Sequence, residues 1–201
     1  IKNVECWVPE VNTGIQVENP GTEATTGIDL VDEQLRIARG EELGYYQEDI
    51  IWYGSAIEAR LYAEDPTNDF LPATGSLVAF APDLSLDARW DSGVDKGSVI
   101  GTDFDPMIAK VITFGESRVE AANKRSSALE SLHIGGVVTN RDFLVAILRS
   151  EAFLKGLTTT NFIEKFKPTL SVVLSDSEIQ LVASVAALWI QGKNRNDAEI
   201  L

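Results

Sequence analysis

The sequence predicts an α+β fold, because strand-like segments fill its middle and helix-like segments fill its end. Residues 57–64 alternate polar and apolar side chains, as a strand with one buried face does, and further strand-like stretches follow up to residue 114. Three later stretches begin with Ser or Thr and carry an acidic residue three positions on, which is a helix-starting pattern. Strands and helices that are separated along the chain are typical of α+β domains. With 44% hydrophobic and 24% charged residues among 201, the chain has enough apolar side chains for a packed core.

The first fifty residues are predicted to contain a short strand, a long loop and one helix. Residues 4–8 favour a strand, and the prolines and glycines of residues 9–27 favour a loop. Thr26 and Asp29 resemble a capping box, which predicts a helix that ends at Arg39. Gly40 suits the position after that helix, because glycine readily adopts the left-handed conformation found there.

The clearest strand runs from Ile57 to Glu64. Its apolar residues would face one side of a sheet and its polar residues the other. Further short strands are predicted near residues 76–81, 87–91 and 97–101, and a longer one at 107–114. The expected inward set is Ile57, Ala59, Leu61 and Ala63, and the expected outward set is Glu58, Arg60, Tyr62 and Glu64.

Helices are predicted after each of the three capping boxes. The boxes at Ser117, Thr139 and Ser175 predict helices that end near Leu132, Ser150 and Gln191. Residues 157–168, between the last two helices, favour a linker or short turns. The expected core is Ile57, Leu61, Ile108, Ile112, Leu129, Phe143, Leu144 and Leu148.

Charge argues against two classes of partner. The formal net charge is -14, and no cluster of Lys and Arg offsets it. Phosphate-rich partners repel such a surface, so neither nucleic acid nor anionic membrane is an expected partner. The sequence also has no apolar run of about 20 residues that could span a bilayer.

The single cysteine and the single histidine restrict the chemistry further. Cys6 cannot form an internal disulfide, and zinc sites usually need several Cys or His ligands. A reduced, cytoplasmic location is therefore expected, with Cys6 packed in a core. His133 is predicted at a helix end, where it would interact with the helix dipole. Because the sequence begins with Ile1 and not with Met, just before a predicted strand, we expect a fragment of a longer protein.

The candidate chemistry lies in residues 9–23, which are rich in carboxylates and amides and poor in basic side chains. Glu10 and Asn12 are two positions apart at a predicted strand end, so both side chains can point to one side. Oxygen ligands in that arrangement suit Mg²⁺. A solvated acidic loop explains the same pattern, and spacing alone does not separate the two interpretations.

Several blocks of the sequence together resemble biotin carboxylases. The first block matches a family motif at nine positions between Glu10 and Glu23. The others are residues 26–31, 33–38, 56–66, 70–72, 105–110 and 139–144, in the order in which the family carries them. The nine matching residues are Glu10, Asn12, Thr13, Gln16, Val17, Glu18, Pro20, Thr22 and Glu23.

The resemblance implies an ATP- and bicarbonate-dependent ligase that carboxylates biotin through carboxyphosphate. It implies that Glu10 and Asn12 bind Mg²⁺ (or Mn²⁺) with ATP, and that Glu18 is the general base for bicarbonate. Gln16 and the backbone of Val17 would hold bicarbonate.

The resemblance also implies a role for Arg60, which would stabilise negative charge on the biotin ureido oxygen. The alternative for Arg60 is a salt bridge to Glu58 or Glu64 on the same strand. Asp105 is a further candidate, because it would support Arg60 from the next strand.

Departures from the family pattern put activity in question. The family has an arginine where this chain has Gly14, and a histidine where it has Asn19. Loss of that arginine removes a cation that would offset the charge of carbonate. A family histidine is Ser55 here, and the usually apolar position before Glu10 is Pro9. The family's nucleotide-binding lysine, glycine-rich phosphate loop and second metal-binding glutamate belong upstream of these blocks, so the isolated chain is expected to be inactive.

The resemblance implies a domain order and a set of partners. Residues 1–50 would end an ATP-grasp domain, residues 51–167 would form a C-terminal domain with a small antiparallel sheet and helices, and residues 168–201 would be a linker and an amphipathic helix. The expected partners are a biotin carboxyl carrier domain, a carboxyltransferase and a second copy of the chain. Two alternatives remain open: a catalytically degenerate binding or scaffold module, and a different ATP-grasp ligase.

Overall fold

Two short helices precede the sheet of this chain, whose computed structural model describes residue 8 and residues 10–198. Helix α1 spans Asn19–Thr26 and α2 spans Leu30–Ala38. The predicted loop at residues 9–27 is therefore wrong for its second half. Pro20 lies in the first turn of α1, where proline is tolerated, and Gly27 ends the helix in the left-handed conformation (φ +74°).

The N-cap of helix α2 lies three residues after the predicted one. The carboxylate of Asp29 accepts hydrogen bonds from the backbone N–H groups of Val31 and Asp32, so Asp29 and not Thr26 is the N-cap. Gly40, in the left-handed conformation, follows the helix as predicted. The strand predicted at residues 4–8 and the packing predicted for Cys6 lie outside the described residues, apart from Val8.

A three-stranded antiparallel sheet in the order β1-β8-β6 forms the centre of the fold. Short two-stranded pairings, β2 with β3, β4 with β7 and β5 with β9, surround it. The strands in chain order are β1 (Ser55–Tyr62), β2 (Glu64–Asp65), β3 (Leu71–Pro72), β4 (Gly75–Ser76), β5 (Ala79–Ala81), β6 (Arg89–Ser92), β7 (Val99–Ile100), β8 (Met107–Gly115) and β9 (His133–Gly135).

Alternation along β1 places its residues as the sequence predicts. Ile57, Ala59, Leu61 and Ala63 are buried, while Arg60 on the opposite face is exposed. The long strand predicted at 107–114 is β8, and Ile108 and Ile112 are both buried. The core has two apolar clusters. In one, Ile57 and Val111 pack against α3 (Arg118–Ser131), and the other gathers Leu61, Leu77 and Ile108.

Three more helices follow α3 in the first of two compact units, which ends at Leu170. They are α4 (Arg141–Arg149), α5 (Glu151–Leu154) and α6 (Phe162–Phe166). The hydroxyl of Ser117 accepts from the N–H of Glu120, which confirms the predicted start of α3. The helix predicted to end near Leu132 is α3, which ends at Ser131 with Leu132 as its C-cap. His133 follows as the first residue of β9 and pairs with Ala81 of β5.

The predicted core is largely confirmed. Seven of its eight residues are buried, and Leu144 is partly buried against both apolar clusters of the core.

The second unit begins at Ser171 and contains α7 (Asp176–Ala198). Ser175 and Glu178 form the predicted capping box, since each side chain accepts a hydrogen bond from the other's backbone N–H. The helix continues beyond its predicted end at Gln191. Its apolar residues, Leu181, Leu188 and Trp189 among them, are about two-thirds exposed. Across the described residues, the helices are too short or too polar to cross a membrane.

Candidate functional site

Glu18 and Arg60 meet on the polar face of the central sheet. The Nη2 of Arg60 donates a hydrogen bond to Oε2 of Glu18 at 3.0 Å. Glu18 caps the start of α1, which lies against β1 and β8, so the contact joins the helix to the sheet. The partner of Arg60 is therefore Glu18, and neither Glu58 nor Glu64, the two alternatives considered from the sequence. Arg60 pairs with the carboxylate that the family resemblance marks as the general base.

Lys110 attaches the same segment from the neighbouring strand. It stands directly opposite Arg60 in the β1-β8 register, and its ammonium group lies 3.4 Å from the carbonyl oxygen of Val17. The ammonium also lies 3.5 Å from the carboxylate of Asp91 on β6. The backbone of Val17, one of the predicted bicarbonate-binding residues, is therefore held against the sheet beside Glu18.

Arg89 extends this contact to the middle of α1. It donates two hydrogen bonds to Asp91, at 2.8 and 2.9 Å, and lies 3.5 Å from Glu23. Burial by itself raises the pKa of Asp91, but hydrogen bonds and charge from Arg89, with further help from Lys110, outweigh it and hold that pKa below its usual value. The sequence did not predict that Lys110, Asp91 and Arg89 meet, because their meeting depends on the register of β6 and β8.

Glu58 lies deeper, on the same face of β1 as Arg60. Burial raises the pKa of its carboxyl group, and the positive charges of Lys110, Arg125 and Arg60 oppose that rise. The site therefore combines an exposed carboxylate, Glu18, with a second and more buried one that shares its cations.

Glu10 and Asn12 form a separate pair before α1. The amide Nδ2 of Asn12 donates to Oε1 of Glu10 at 3.2 Å, and both residues are exposed. This contact confirms that the two side chains point to one side. Within the described ranges, acidic, histidine and cysteine side chains do not gather in groups of three or more that could hold a metal ion.

The remaining predicted positions have other contacts. The carbonyl of Gln16 accepts from the N–H of Asn19 at 3.3 Å, which fixes the turn into α1. Asp105 accepts from the N–H of Met107. Gly14 is surrounded by open space, since a Cβ there would have no atom within 4 Å. Pro9 lies outside the described residues.

Comparison with known families identifies this arrangement. Residues 58–165 match the biotin carboxylase C-terminal domain, and residues 2–46 match the carbamoyl-phosphate synthase L chain, ATP binding domain. Because the first match covers more than half of the 201 residues, the chain belongs to the biotin carboxylase family and carries its C-terminal domain. The resemblance noted in the sequence and the predicted α+β fold class are both confirmed.

Two curated relatives show how much of a longer protein the chain represents. The mitochondrial methylcrotonoyl-CoA carboxylase subunit alpha of Oryza sativa subsp. japonica is 41% identical over 203 residues, which cover 98% of this chain and 28% of that protein. The biotin carboxylase of Haemophilus influenzae is 44% identical over 164 residues, which cover 82% of this chain and 36% of that protein. The chain thus spans about a third of the length of these relatives.

A solved structure gives the same result at the level of the fold. The biotin carboxylase domain dimer of Hydrogenobacter thermophilus 2-oxoglutarate carboxylase, in complex with MgADP, ADP and bicarbonate, superposes with a TM-score of 0.78. It is 37% identical, and the match covers 81% of this chain and 36% of that chain.

Proposed function

We propose that the chain is part of an ATP- and bicarbonate-dependent biotin carboxylase that carboxylates biotin on a carrier domain. The observation that carries this proposal is the 3.0 Å contact between Glu18 and Arg60. The contact brings the expected base and the expected oxyanion-binding cation to one point, from positions that are 42 residues apart in the sequence. Membership of the biotin carboxylase family supports the same assignment.

In this proposal Glu18 removes the proton of bicarbonate. Its carboxylate is the proton acceptor, and the carbonate that results attacks the γ-phosphate of ATP to give carboxyphosphate and ADP. Gln16 and the backbone of Val17 position bicarbonate beside Glu18. The contact of Lys110 with the Val17 carbonyl keeps that backbone in place while the proton moves.

Arg60 acts in the second half of the reaction. As carboxyphosphate gives up its carboxyl group, the phosphate it releases takes the N–H proton of biotin, and the nitrogen then takes the carboxyl group. The guanidinium of Arg60 offsets the negative charge that develops on the ureido oxygen in this step. A planar cation that is already ordered by Glu18 needs little rearrangement to do this.

Glu10 and Asn12 are suited to hold part of a magnesium site. A carboxylate and an amide oxygen are ligands of the kind Mg²⁺ prefers, and these two side chains already touch each other. When bound, the ion would neutralise charge on the phosphates of ATP. Two protein ligands are consistent with the usual magnesium site, which relies on nucleotide phosphates and water for the others.

The domain order and the partners follow from the same proposal. Residues 1–50 end the ATP-grasp domain, residues 51–167 form the C-terminal domain, and residues 168–201 form a linker and helix. The working protein acts with two partners, a biotin carboxyl carrier domain and a carboxyltransferase. It pairs with a second copy of itself and acts in the cytoplasm. A neighbouring structure that is a domain dimer supports the pairing. The isolated chain is expected to be inactive, because it represents about a third of its relatives.

A second candidate is a catalytically degenerate module that only binds its partners. Gly14 favours it, because that position lacks the family's arginine. Asn19 favours it as well, since it replaces the family's histidine next to Glu18.

One measurement separates the two candidates: ADP release by the complete carboxylase that contains this chain, with and without bicarbonate and biotin. An enzyme releases ADP only when bicarbonate is present, and faster with biotin. ADP release that ignores both substrates would reject the proposed carboxylase, and no ADP release at all would leave the binding module as the function.

The substitution Gly14→Arg then tests directly whether the missing arginine limits the reaction. Open space around Gly14 leaves room for the larger side chain. If the missing cation limits the reaction, bicarbonate-dependent turnover should rise by about tenfold or more. Gly14→Met is the matched control, because it adds length without charge and should leave turnover unchanged.

A further inference from the structure

Helix α1 carries Glu18 at its start but has little of its own to hold it in place. It has eight residues, and within this described stretch only Pro20 is buried and the N-cap makes no side-chain hydrogen bond to the helix. A helix of this length is marginal in water without outside contacts. Its C-terminal half is held by the carbonyl of Thr25, which accepts from the N–H of Tyr53 at 2.9 Å. The N-terminal half, which positions Glu18, depends on contacts with the sheet.

One carboxylate, that of Asp91 on β6, connects two of these contacts. Its Oδ2 lies 2.9 Å from Nη2 of Arg89 and 3.5 Å from the ammonium nitrogen of Lys110. Arg89 reaches Glu23 in the middle of α1 at 3.5 Å, and Lys110 reaches the carbonyl oxygen of Val17 at 3.4 Å. The two arms of this network therefore hold α1 just before its first residue and again in its middle.

The arm through Lys110 depends on Asp91. A lysine ammonium is a strongly hydrated point charge on a flexible stem of four carbons. The carbonyl of Val17 is a neutral acceptor, whereas the Asp91 carboxylate adds a charge-assisted contact to the same ammonium. The side chains of Lys110 and Asp91 are 21% and 29% exposed, so water and salt screen this pair less than they screen Glu18 and Arg60.

The Val17 carbonyl matters for Glu18 because the two residues share one peptide group. The peptide group is planar, so a fixed carbonyl oxygen at Val17 also fixes the amide nitrogen and the Cα of Glu18, from which the side chain starts. Arg60 holds the far end of that side chain at 3.0 Å. The Glu18 side chain is thus ordered at both ends, and the Asp91 network acts on its backbone end.

We propose that Asp91 is a positioning residue of the proposed reaction: by holding Lys110 in place, it orders residues 16–18 for the binding of bicarbonate. Asp91 itself does not touch the substrate. The inference rests on the proposed function, because residues 16–18 bind bicarbonate only if that function is right. Glu10 and Asn12, which are proposed for the magnesium–ATP site, form a separate pair. Loss of Asp91 should therefore weaken the binding of bicarbonate and not that of ATP.

The first test is the ¹³C NMR signal of the Val17 carbonyl in the 201-residue chain. This signal responds to the hydrogen bond that the carbonyl accepts, because the bond polarises the group. In Asp91→Asn the signal should move toward the position that it has in Lys110→Met. Asp87→Asn is the matched control and should leave it in place, since Asp87 also pairs with a lysine, Lys124 at 2.8 Å, but is 80% exposed.

The second test is steady-state kinetics of the complete carboxylase that contains this chain. Asp91→Asn and Lys110→Met should each raise the KM for bicarbonate about tenfold and leave the KM for ATP within about twofold of the parent. A variant that only folds less well loses active enzyme and hence kcat, so the two KM values separate positioning from stability. The double variant should resemble either single variant, because Asp91 acts through Lys110. Asp87→Asn should match the parent.

The inference is overturned if Asp91→Asn leaves the Val17 carbonyl signal or the bicarbonate KM at the parent's value. It is equally overturned if the double variant raises that KM about a hundredfold, since independent effects multiply. If Asp91→Asn does not fold, Arg89→Met removes the other partner of Asp91 at an exposed side chain. It should raise the bicarbonate KM about threefold, and an unchanged KM would count against the inference.

Failure of the proposed function is recognised separately, in the parent enzyme. ADP release that ignores bicarbonate in the parent rejects that function, and this inference with it, before any variant is compared. A parent that depends on bicarbonate, with Asp91→Asn behaving in the same way, rejects the positioning role alone.

Discussion

The carboxylate of Glu18 accepts a hydrogen bond from Arg60 at 3.0 Å, and this single contact connects the start of α1 to the polar face of β1. Both side chains are well exposed, at 62% and 43% of their surface. Water and salt screen such a pair, so its contribution to folding is small. Its exposure is consistent with the roles proposed for the two side chains, which must contact incoming substrates.

Arg60→Met should therefore separate stability from activity. We expect the free energy of unfolding of this chain to fall by no more than about 1 kcal/mol, measured by urea denaturation. In the complete carboxylase, biotin-dependent turnover should fall about 100-fold or more, because the cation at the developing oxyanion is gone. Arg39→Met, which removes a similarly exposed pair with Glu41, is the control and should change neither quantity. Equal losses in both variants would contradict the catalytic role of Arg60.

Asn140 protects the outer edge of β1 and should be essential for stability. Its Oδ1 accepts from Tyr62 N–H at 3.0 Å, its Nδ2 donates to the carbonyl of Arg60 at 3.2 Å, and its own N–H donates to the carbonyl of Tyr62. Asn140→Ala leaves two backbone groups without partners, which should cost about 2–4 kcal/mol in urea denaturation. Asn161→Ala, an exposed control, should cost under about 0.5 kcal/mol. A loss below about 1 kcal/mol for Asn140→Ala would show that water replaces the amide.

The sequence predicted the sheet and α3 because each rests on a local pattern. The alternation from Ile57 to Ala63 places every second residue in the core, and the box at Ser117 marks where a helix begins. Helix α1 was missed for an equally local reason. Pro20 and Gly27 add to the proline and glycine content that indicates a loop, but in the structure Pro20 lies at the start of the helix and Gly27 ends it.

The candidate site was only partly predictable, since its contacts join distant strands. The family motif indicated Glu18 and Arg60. That Arg60, Lys110 and Asp91 lie side by side across three strands follows from the strand register, which cannot be read from any one of these segments. Arg125 could not be predicted either. An arginine in a helix is expected to face water, and only the packing of α3 on the sheet shows that this one is buried.

Asp91 should make the stability of the chain depend on pH. Hydrogen bonds from Arg89 keep the folded-state pKa of Asp91 below its unfolded-state pKa, which is near 4. The ionised carboxylate therefore stabilises the fold fully above the unfolded-state pKa, and this stabilisation is lost as the pH falls through the folded-state pKa. At pH 7, Asp91→Asn should cost about 1 kcal/mol of unfolding free energy. The gap between variant and parent should close in acid. Asp103→Asn, at an exposed carboxylate, should show little cost at either pH. A stability cost of Asp91→Asn that persists in acid would mean that the shape of the Asp91 side chain, and not its charge, stabilises the fold.

Gly136 should not tolerate a side chain. Its φ is +108°, and a Cβ there would collide with the backbone oxygen of Ser76 and crowd the N–H of Val78. Gly136→Ala should therefore lower the free energy of unfolding by more than about 1 kcal/mol, because both the backbone angle and the contact are unfavourable. Gly93→Ala, at a position with open space around it, should be close to neutral. Equal stability of the two variants in thermal unfolding would show that β4 and β9 can move apart.

Arg125→Met should stabilise the chain, which is an unusual direction for a core substitution. A buried guanidinium with two unpartnered nitrogens is disfavoured in the fold, and methionine fills similar space without a charge. Replacing buried charges by apolar side chains often gains about 1–4 kcal/mol, and we expect about 1–3 kcal/mol here at pH 7 in urea denaturation.

The pH dependence provides an internal check on that prediction. The pKa of Arg125 is about 9 in the folded chain and higher in the unfolded one, so the unfolded state binds more protons above pH 9. The parent should therefore gain stability relative to Arg125→Met as pH rises beyond about 9, and the difference between them should shrink. Arg149→Met has no such buried charge and should show no convergence with the parent. A variant that is less stable than the parent at pH 7 would mean that the guanidinium of Arg125 has hydrogen-bond partners in solution.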